Sequence, residues 1–179
     1  MPDQMVELSM AELREIAAYA VACAEPALAI FERDCPDDSR PRDALEEARE
    51  FAAGADRTQA LRVTALAAHR AARAAHEMGR EAAANAARAT GHAAAAAYLH
   101  PLAKATQVVH ILGSAAHAAR AIELDAGGDP GVGAACIGKA ADLADPIVVS
   151  VLTRYPHPPG GGRRAGELLR MLDGSLRAL

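Results

Sequence analysis

The stretch Gly131–Asp145, GVGAACIGKAADLAD, decides the fold, because Gly133 to Lys139 spells G-x-x-x-x-G-K. That string is the core of a phosphate-binding loop, and such a loop would make the chain an α/β protein using ATP or GTP. The loop works only between a strand and a helix, where glycines let successive backbone N–H groups curl around phosphate oxygens. What precedes Gly133 is ELDAGGDPGV, a turn-rich linker without the β-branched run that a strand requires. Ala140 occupies the position of the magnesium-holding hydroxyl, and no later apolar strand ends in an acidic residue. The stretch therefore reads as an ordinary helix, with Gly131 and Gly133 near its start and Lys139 on its surface.

The composition extends this reading to the whole chain. Of 179 residues 47 are alanine, aromatic residues make up 3%, and tryptophan is absent. Alanine loses no side-chain entropy in a helix, whereas strands favour β-branched and aromatic residues. The expected fold is all-α: a single-domain bundle of about six or seven helices over residues 1–179. A chain of this length buries about 70% of the surface its unfolded form exposes, so one core suffices.

Net charge is −4 with no block of like charges, which points away from nucleic acid and from a basic membrane surface. Cys23, Cys35 and Cys136 are odd in number and widely spaced, which fits a reducing cytoplasm better than a disulfide framework. MPDQMVELSMAELREI at the N-terminus lacks the apolar core of a signal peptide. The most apolar run, HAAAAAYLHPLA, is too short to span a bilayer. Seventeen arginines against two lysines, with abundant Ala, Gly and Pro, are the codon signature of a GC-rich bacterial genome.

Along the chain, Ser9 and Glu12 form a capping box opening a first helix that Pro26 should kink or divide. CPDDSRPR is a loop, and a second helix ends at Gly54. Thr58 caps a third helix to about Met78, with Leu61, Ala65, Ala68, Ala72 and Ala75 as its apolar stripe. A fourth helix runs from Arg80 to about Leu99, and Pro101 opens a fifth that ends near Leu124. A flexible linker is expected near 125–132. Two further helices, about Ala134–Leu152 bent at Pro146 and Gly162–Leu179, flank a Pro/Gly-rich turn near 155–162.

Polar chemistry concentrates in three places. On the fourth helix Glu81, Asn85, Arg88 and His92 fall on one face, while the other faces are almost wholly alanine. This stripe is either the wet face of a buried helix or the wall of a polar pocket. On the fifth helix Gln107, His110, Ser114 and His117 lie opposite an apolar side, and His69 and His76 border the stripe of the third. Six of the seven histidines thus lie between His69 and His117. They read as hydrogen-bonded or exposed rings, as a binding or proton-transfer pocket using His92, His100 or His110, or as metal ligands. The absence of H-E-x-x-H and E-x-x-H spacing speaks against the last, so neither metal nor cofactor is expected. No nucleophile signature surrounds Ser114 or the cysteines. Third, Asp37, Asp38, Arg40, Arg42 and Asp43 crowd between prolines, as a capped helix start with local ion pairs or as a rigid charged rim for a partner.

Two of these segments resemble a family of small bacterial immunity proteins associated with toxin systems. The likeness lies in Cys23–Gly54, with Phe31, Pro36, Asp38, Arg40, Pro41, Arg42 and Gly54 in order, and in Ala86–Ala103, with Arg88, Gly91 and His92. Tyr98 departs from it, standing where the family tends to carry a histidine. The resemblance implies a cytoplasmic binding protein that neutralises a protein toxin. The leading expectation is therefore a non-catalytic helical binding module acting through Asp38, Arg40 and Arg42. The alternative is a small enzyme or small-molecule-binding protein of specialised metabolism whose inter-helical pocket uses Arg88, His92, His100 and His110. A third reading is a homodimer packed through alanine-rich faces.

Overall fold

The computed structural model describes residues 4–179; Met1 to Asp3, part of the N-terminal stretch read above, lie outside the described residues. Its elements are helical: α1 (Met10–Asp34), α2 (Arg40–Ala52), α3 (Gln59–Glu77), α4 (Glu81–Ala95), α5 (Val108–Asp125), α6 (Pro130–Leu143), α7 (Pro146–Leu152) and α8 (Arg163–Arg177), with short 3₁₀ turns at Ala96–Tyr98 and Ala105–Gln107. Among the described residues there is no strand beyond an isolated bridge between Met5 and Leu102. No helix of these is long and apolar enough to cross a membrane.

The all-α expectation holds, but among the described residues there are eight helices rather than six or seven. The difference arises at Pro146, which ends one helix and starts another instead of bending one. Asp145, extended at ψ 169°, caps α7 by accepting from the Ile147 and Val148 N–H groups. The residue before a proline is driven out of the helical region, so the break follows from local sterics. Pro26, by contrast, sits inside a continuous α1. Pro101 does not open α5; residues 99–104 form a connection held to the N-terminal segment through Val6 N–H to the Pro101 carbonyl, and α5 starts at Val108. The expected linker is shorter than read, since Asp129 already caps α6.

The capping box is present as spelled, with Ser9 and Glu12 bonding each other's backbone N–H groups. Thr58 sits at the N-cap of α3 without a side-chain cap bond; its carbonyl instead accepts the Tyr98 hydroxyl at 2.8 Å. Tyr98 is further held under the guanidinium of Arg62, 4.1 Å from the ring centroid.

Helix α4 is the centre of the packing and touches α1, α2, α3 and α5. Ala83, Ala84, Ala86, Ala87, Ala89, Ala93 and Ala94 are fully buried on it. Methyl-sized side chains let four neighbours approach one helix, and the neighbouring helices supply large buried residues: Ile16, Phe31, Leu45, Phe51, Leu61, Ile111 and Leu112. Helix α8 folds back onto α5 and α6, burying Leu168, Leu172 and Leu176.

Candidate functional site

Between α4, α5 and the start of α8 lies a pocket of about 300 Å³. Helix α4 contributes Glu81, Asn85 and Arg88, three of the four residues of the polar stripe, while His92 does not line the pocket. Helix α5 adds His117 and Arg120, and α8 adds Arg163 and Arg164.

Three imidazoles pack against one another here, His117 in the pocket lining and His92 and His69 beyond it. The ring of His92 meets that of His69 edge-on at 5.0 Å and stacks on that of His117 at 5.1 Å. Two mid-helix glycines make the space. A Cβ on Gly91 would stand 2.8 Å from His69 Nε2, and one on Gly113 would stand 3.0 Å from His92 Cγ. Asn85, itself buried, fixes the His117 tautomer: its amide nitrogen donates to the Glu81 carbonyl, which turns Oδ1 toward His117 Nδ1 at 2.9 Å. Nδ1 therefore carries the proton, leaving Nε2 as an acceptor.

Burial is the main cause that holds all four neighbouring imidazoles neutral. It pushes His117 down to about 4, with the positive charge of Arg88 and the neighbouring His69 adding to the shift. His92 lies well below the ordinary range for the same first reason, then through His117, His69, His110 and Arg88. His69 and His110 are lowered as well, the latter against a hydrogen bond to the Ala95 carbonyl. The Nδ1 of His110 is buried and has no hydrogen-bond partner.

The carboxylate of Glu123, 1% exposed, anchors the other side of the pocket. Arg120 donates to it at 2.6 Å, and Arg164 reaches both its oxygens, with Nη2 to Oε2 at 2.8 Å. These bonds, Arg164 first, hold the carboxyl below the usual carboxylate range. Gly133 of the G-x-x-x-x-G-K string has its role here: a Cβ there would stand 2.0 Å from Glu123 Oε2. This glycine makes room for a buried carboxylate of the same chain.

The remaining sequence candidates lie apart from the pocket. His100 is exposed in the connection after α4, where its Nδ1 accepts the Leu102 N–H at 3.1 Å. His110 adjoins His69 and His92 electrostatically but does not line the pocket. At the α1–α2 turn, Arg40 makes a bidentate pair with Asp38 at 2.8 and 2.6 Å, and Arg42 one with Glu32 at 2.6 and 2.7 Å. Asp38 also accepts the Arg40 N–H and so caps the helix start, and its pairing with Arg40 lowers its carboxyl. Asp38 and Arg40 border an open depression of about 470 Å³ floored by Cys35, Ala71 and Ala74 and flanked by exposed Met78 and Arg80. Among the described residues no group of three or more His, Cys, Asp or Glu side chains is arranged to hold a metal ion.

Sequence reasoning missed Arg120, Arg163, Arg164 and the buried Glu123. Mid-helix glycines were the available signal, because a glycine inside a helical pattern usually marks a close approach.

Fold and site together define an all-helical protein with a cationic inter-helical pocket backed by neutral imidazoles. The chain belongs to the family described as Imm-5 like putative immunity protein, whose model matches residues 7–145. No curated protein and no solved structure matches it. The match extends through α6 and so covers more than the two segments that carried the resemblance, while α7 and α8 lie beyond it.

Proposed function

We propose that this protein is a non-catalytic binding module of the immunity type, which neutralises a protein toxin by forming a stoichiometric complex through the α1–α2 rim and the adjoining end of α3. Family membership is the observation that carries this reading. The rim geometry supports it. The pairs Arg40–Asp38 and Arg42–Glu32 hold their guanidiniums in place before any partner arrives, which lowers the ordering cost of binding. Asp38 and Arg40 share one depression with Arg80 and exposed Met78, 54% accessible, so polar groups adjoin an apolar contact as in the core and rim of a protein interface.

A second reading, a small-molecule-binding protein or enzyme, is favoured by the convergence of Arg88, Asn85 and His117 on one pocket. Its catalytic form is weakened by the imidazoles themselves. A base held near 4, as His117 is, has little proton affinity at neutral pH, and efficient acid–base groups sit near the working pH.

The test uses a purified candidate toxin protein. Titrating it with purified protein should abolish its activity at one equivalent, with no turnover. The double variant Arg40→Ala, Arg42→Ala should weaken the complex by about 1–3 kcal/mol, or roughly ten- to a hundredfold. Its fold should survive, because exposed ion pairs contribute only about 0–1 kcal/mol each. Full protection by the double variant at the same dose would remove the rim assignment, and no protection by excess parent protein would remove the immunity reading for that toxin.

A further inference from the structure

The pocket between α4, α5 and α8 holds four guanidiniums, of Arg88, Arg120, Arg163 and Arg164, against three carboxylates, Glu81 on its wall and Glu123 and Glu167 paired with the arginines beside it. A local excess of positive charge in a chain of net charge −4 needs a reason. Arg164 is spent: its nitrogens reach Glu123, Glu167 and the Pro130 carbonyl. Arg120 uses one nitrogen on Glu123. Arg88 and Arg163 make no hydrogen bond or ion pair with any described residue. Like charges brought together without partners repel, so an arrangement that keeps them beside one another is completed by an anion.

The backbone adds donors at the same place. Helix α8 begins at Arg163 after Gly162, which offers no side-chain cap, and the first backbone bond of its opening turn is Gly166 N–H to the Gly162 carbonyl. The N–H groups of Arg163, Arg164 and Ala165 are thus left free, at the positive end of the helix dipole and in the pocket wall. The turn is held rigidly. Gly161, Gly162 and Arg163 take φ of 88°, 79° and 53° in succession, and only the last carries a side chain. Gly166 lets the Gly161 carbonyl lie over the first turn, since a Cβ there would stand 2.2 Å from that oxygen, and Arg170 clamps the same carbonyl.

We propose that this pocket is a binding site for a small phosphate-bearing molecule, gripped by Arg88, Arg120 and Arg163 from three helices and by the free N–H groups at the start of α8. Donors that arrive from several sides suit a tetrahedral group with several oxygens better than a planar carboxylate, and helix N-termini are a common seat for phosphate. The volume, about 300 Å³, is at the small end of ligand pockets and has room for more than one phosphoryl group. Asn85 and His117, in the same wall, then border the remainder of the molecule. This site is separate from the α1–α2 rim and does not depend on the toxin-binding reading.

Calorimetric titration of the full chain near neutral pH in chloride buffer, with inorganic phosphate, pyrophosphate and acetate as probes, tests it. Saturable binding of one phosphate or pyrophosphate per chain is expected, pyrophosphate the tighter, with acetate much weaker. Arg88→Gln and Arg163→Gln should each weaken it about tenfold or more, the scale of one lost charge-assisted hydrogen bond. Arg73→Gln, on the exposed face of α3, should change nothing. Circular dichroism of each variant establishes that it is folded. No saturable binding of either phosphate up to about 10 mM would overturn the proposal. So would binding that survives both Arg88→Gln and Arg163→Gln, or acetate bound as tightly as phosphate.

Discussion

Replacing Gly133 by alanine puts a methyl carbon 2.0 Å from Glu123 Oε2 and 2.8 Å from its Cδ, distances no relaxed contact allows. Glu123 must retreat, and its bidentate grip on Arg164 opens. Removing one partner of a buried pair costs about 3–5 kcal/mol. Here the carboxylate is displaced rather than deleted, and the side chains of Arg120 and Arg164, 27% and 25% exposed, can regain water. The loss is then about 2–3 kcal/mol, from which the gain of alanine over glycine in a helix, up to about 1 kcal/mol, is subtracted. The net is destabilisation by about 1–2 kcal/mol, or a Tm lower by roughly 2–8 °C for a chain of this size. Gly138 in the same helix is the control, because a Cβ there meets nothing within 4 Å. Gly138→Ala should raise stability by about 0.5–1 kcal/mol. Thermal and urea unfolding followed by far-UV circular dichroism measures both. A Gly133→Ala variant as stable as Gly138→Ala would refute the packing argument.

The imidazole cluster allows a similar test. Gly91→Ala, with its new Cβ 2.8 Å from His69 Nε2, should cost about 1–3 kcal/mol, and combining it with His69→Ala should recover about 1 kcal/mol in a double-mutant cycle; simple additivity would show that the ring is not the obstacle. Acid should also destabilise the fold. His117 stays neutral in the folded chain down to about 4 but takes a proton near 6.5 once unfolded, so the unfolded state binds more protons between those values and stability falls as pH drops through that window. His69, His92 and His110 are lowered in the same sense and add to the fall. A urea midpoint that stays level from pH 6.5 to 4 would contradict this burial.

The helical nature of the chain was legible because alanine makes up 47 of its 179 residues, and α1 to α4 start and end close to the capping residues, prolines and glycines that mark them. The break at Pro146 was harder to read, since a proline after a capping aspartate can either bend one helix or start another; Asp145 decided it by adopting an extended backbone and bonding two N–H groups ahead of it. The polar stripe of α4 identified Arg88, Asn85 and His92 as neighbours because they share a helix face. The other side of the pocket was not legible. Arg163 and Arg164 follow a run of glycines with no pattern tying them to α5, and only the return of α8 onto α5 brings them opposite Arg88. Glu123 stands in the last turn of α5, where nothing in the sequence pattern marks it for burial, and the room for its carboxylate depends on a missing side chain at Gly133, ten positions later.

The account rests on close helix approach keeping half-buried imidazoles neutral beside a cationic pocket, and the titration of those rings tests it most directly. In long-range proton–nitrogen NMR spectra recorded from neutral pH downward, His117 should keep the pattern of an Nδ1-protonated neutral ring until the pH nears about 4, with His69 and His92 also titrating below the ordinary histidine range. Titration of all three near 6.5, the value of a solvated imidazole, would show that the rings are open to water and that the helices do not pack as described.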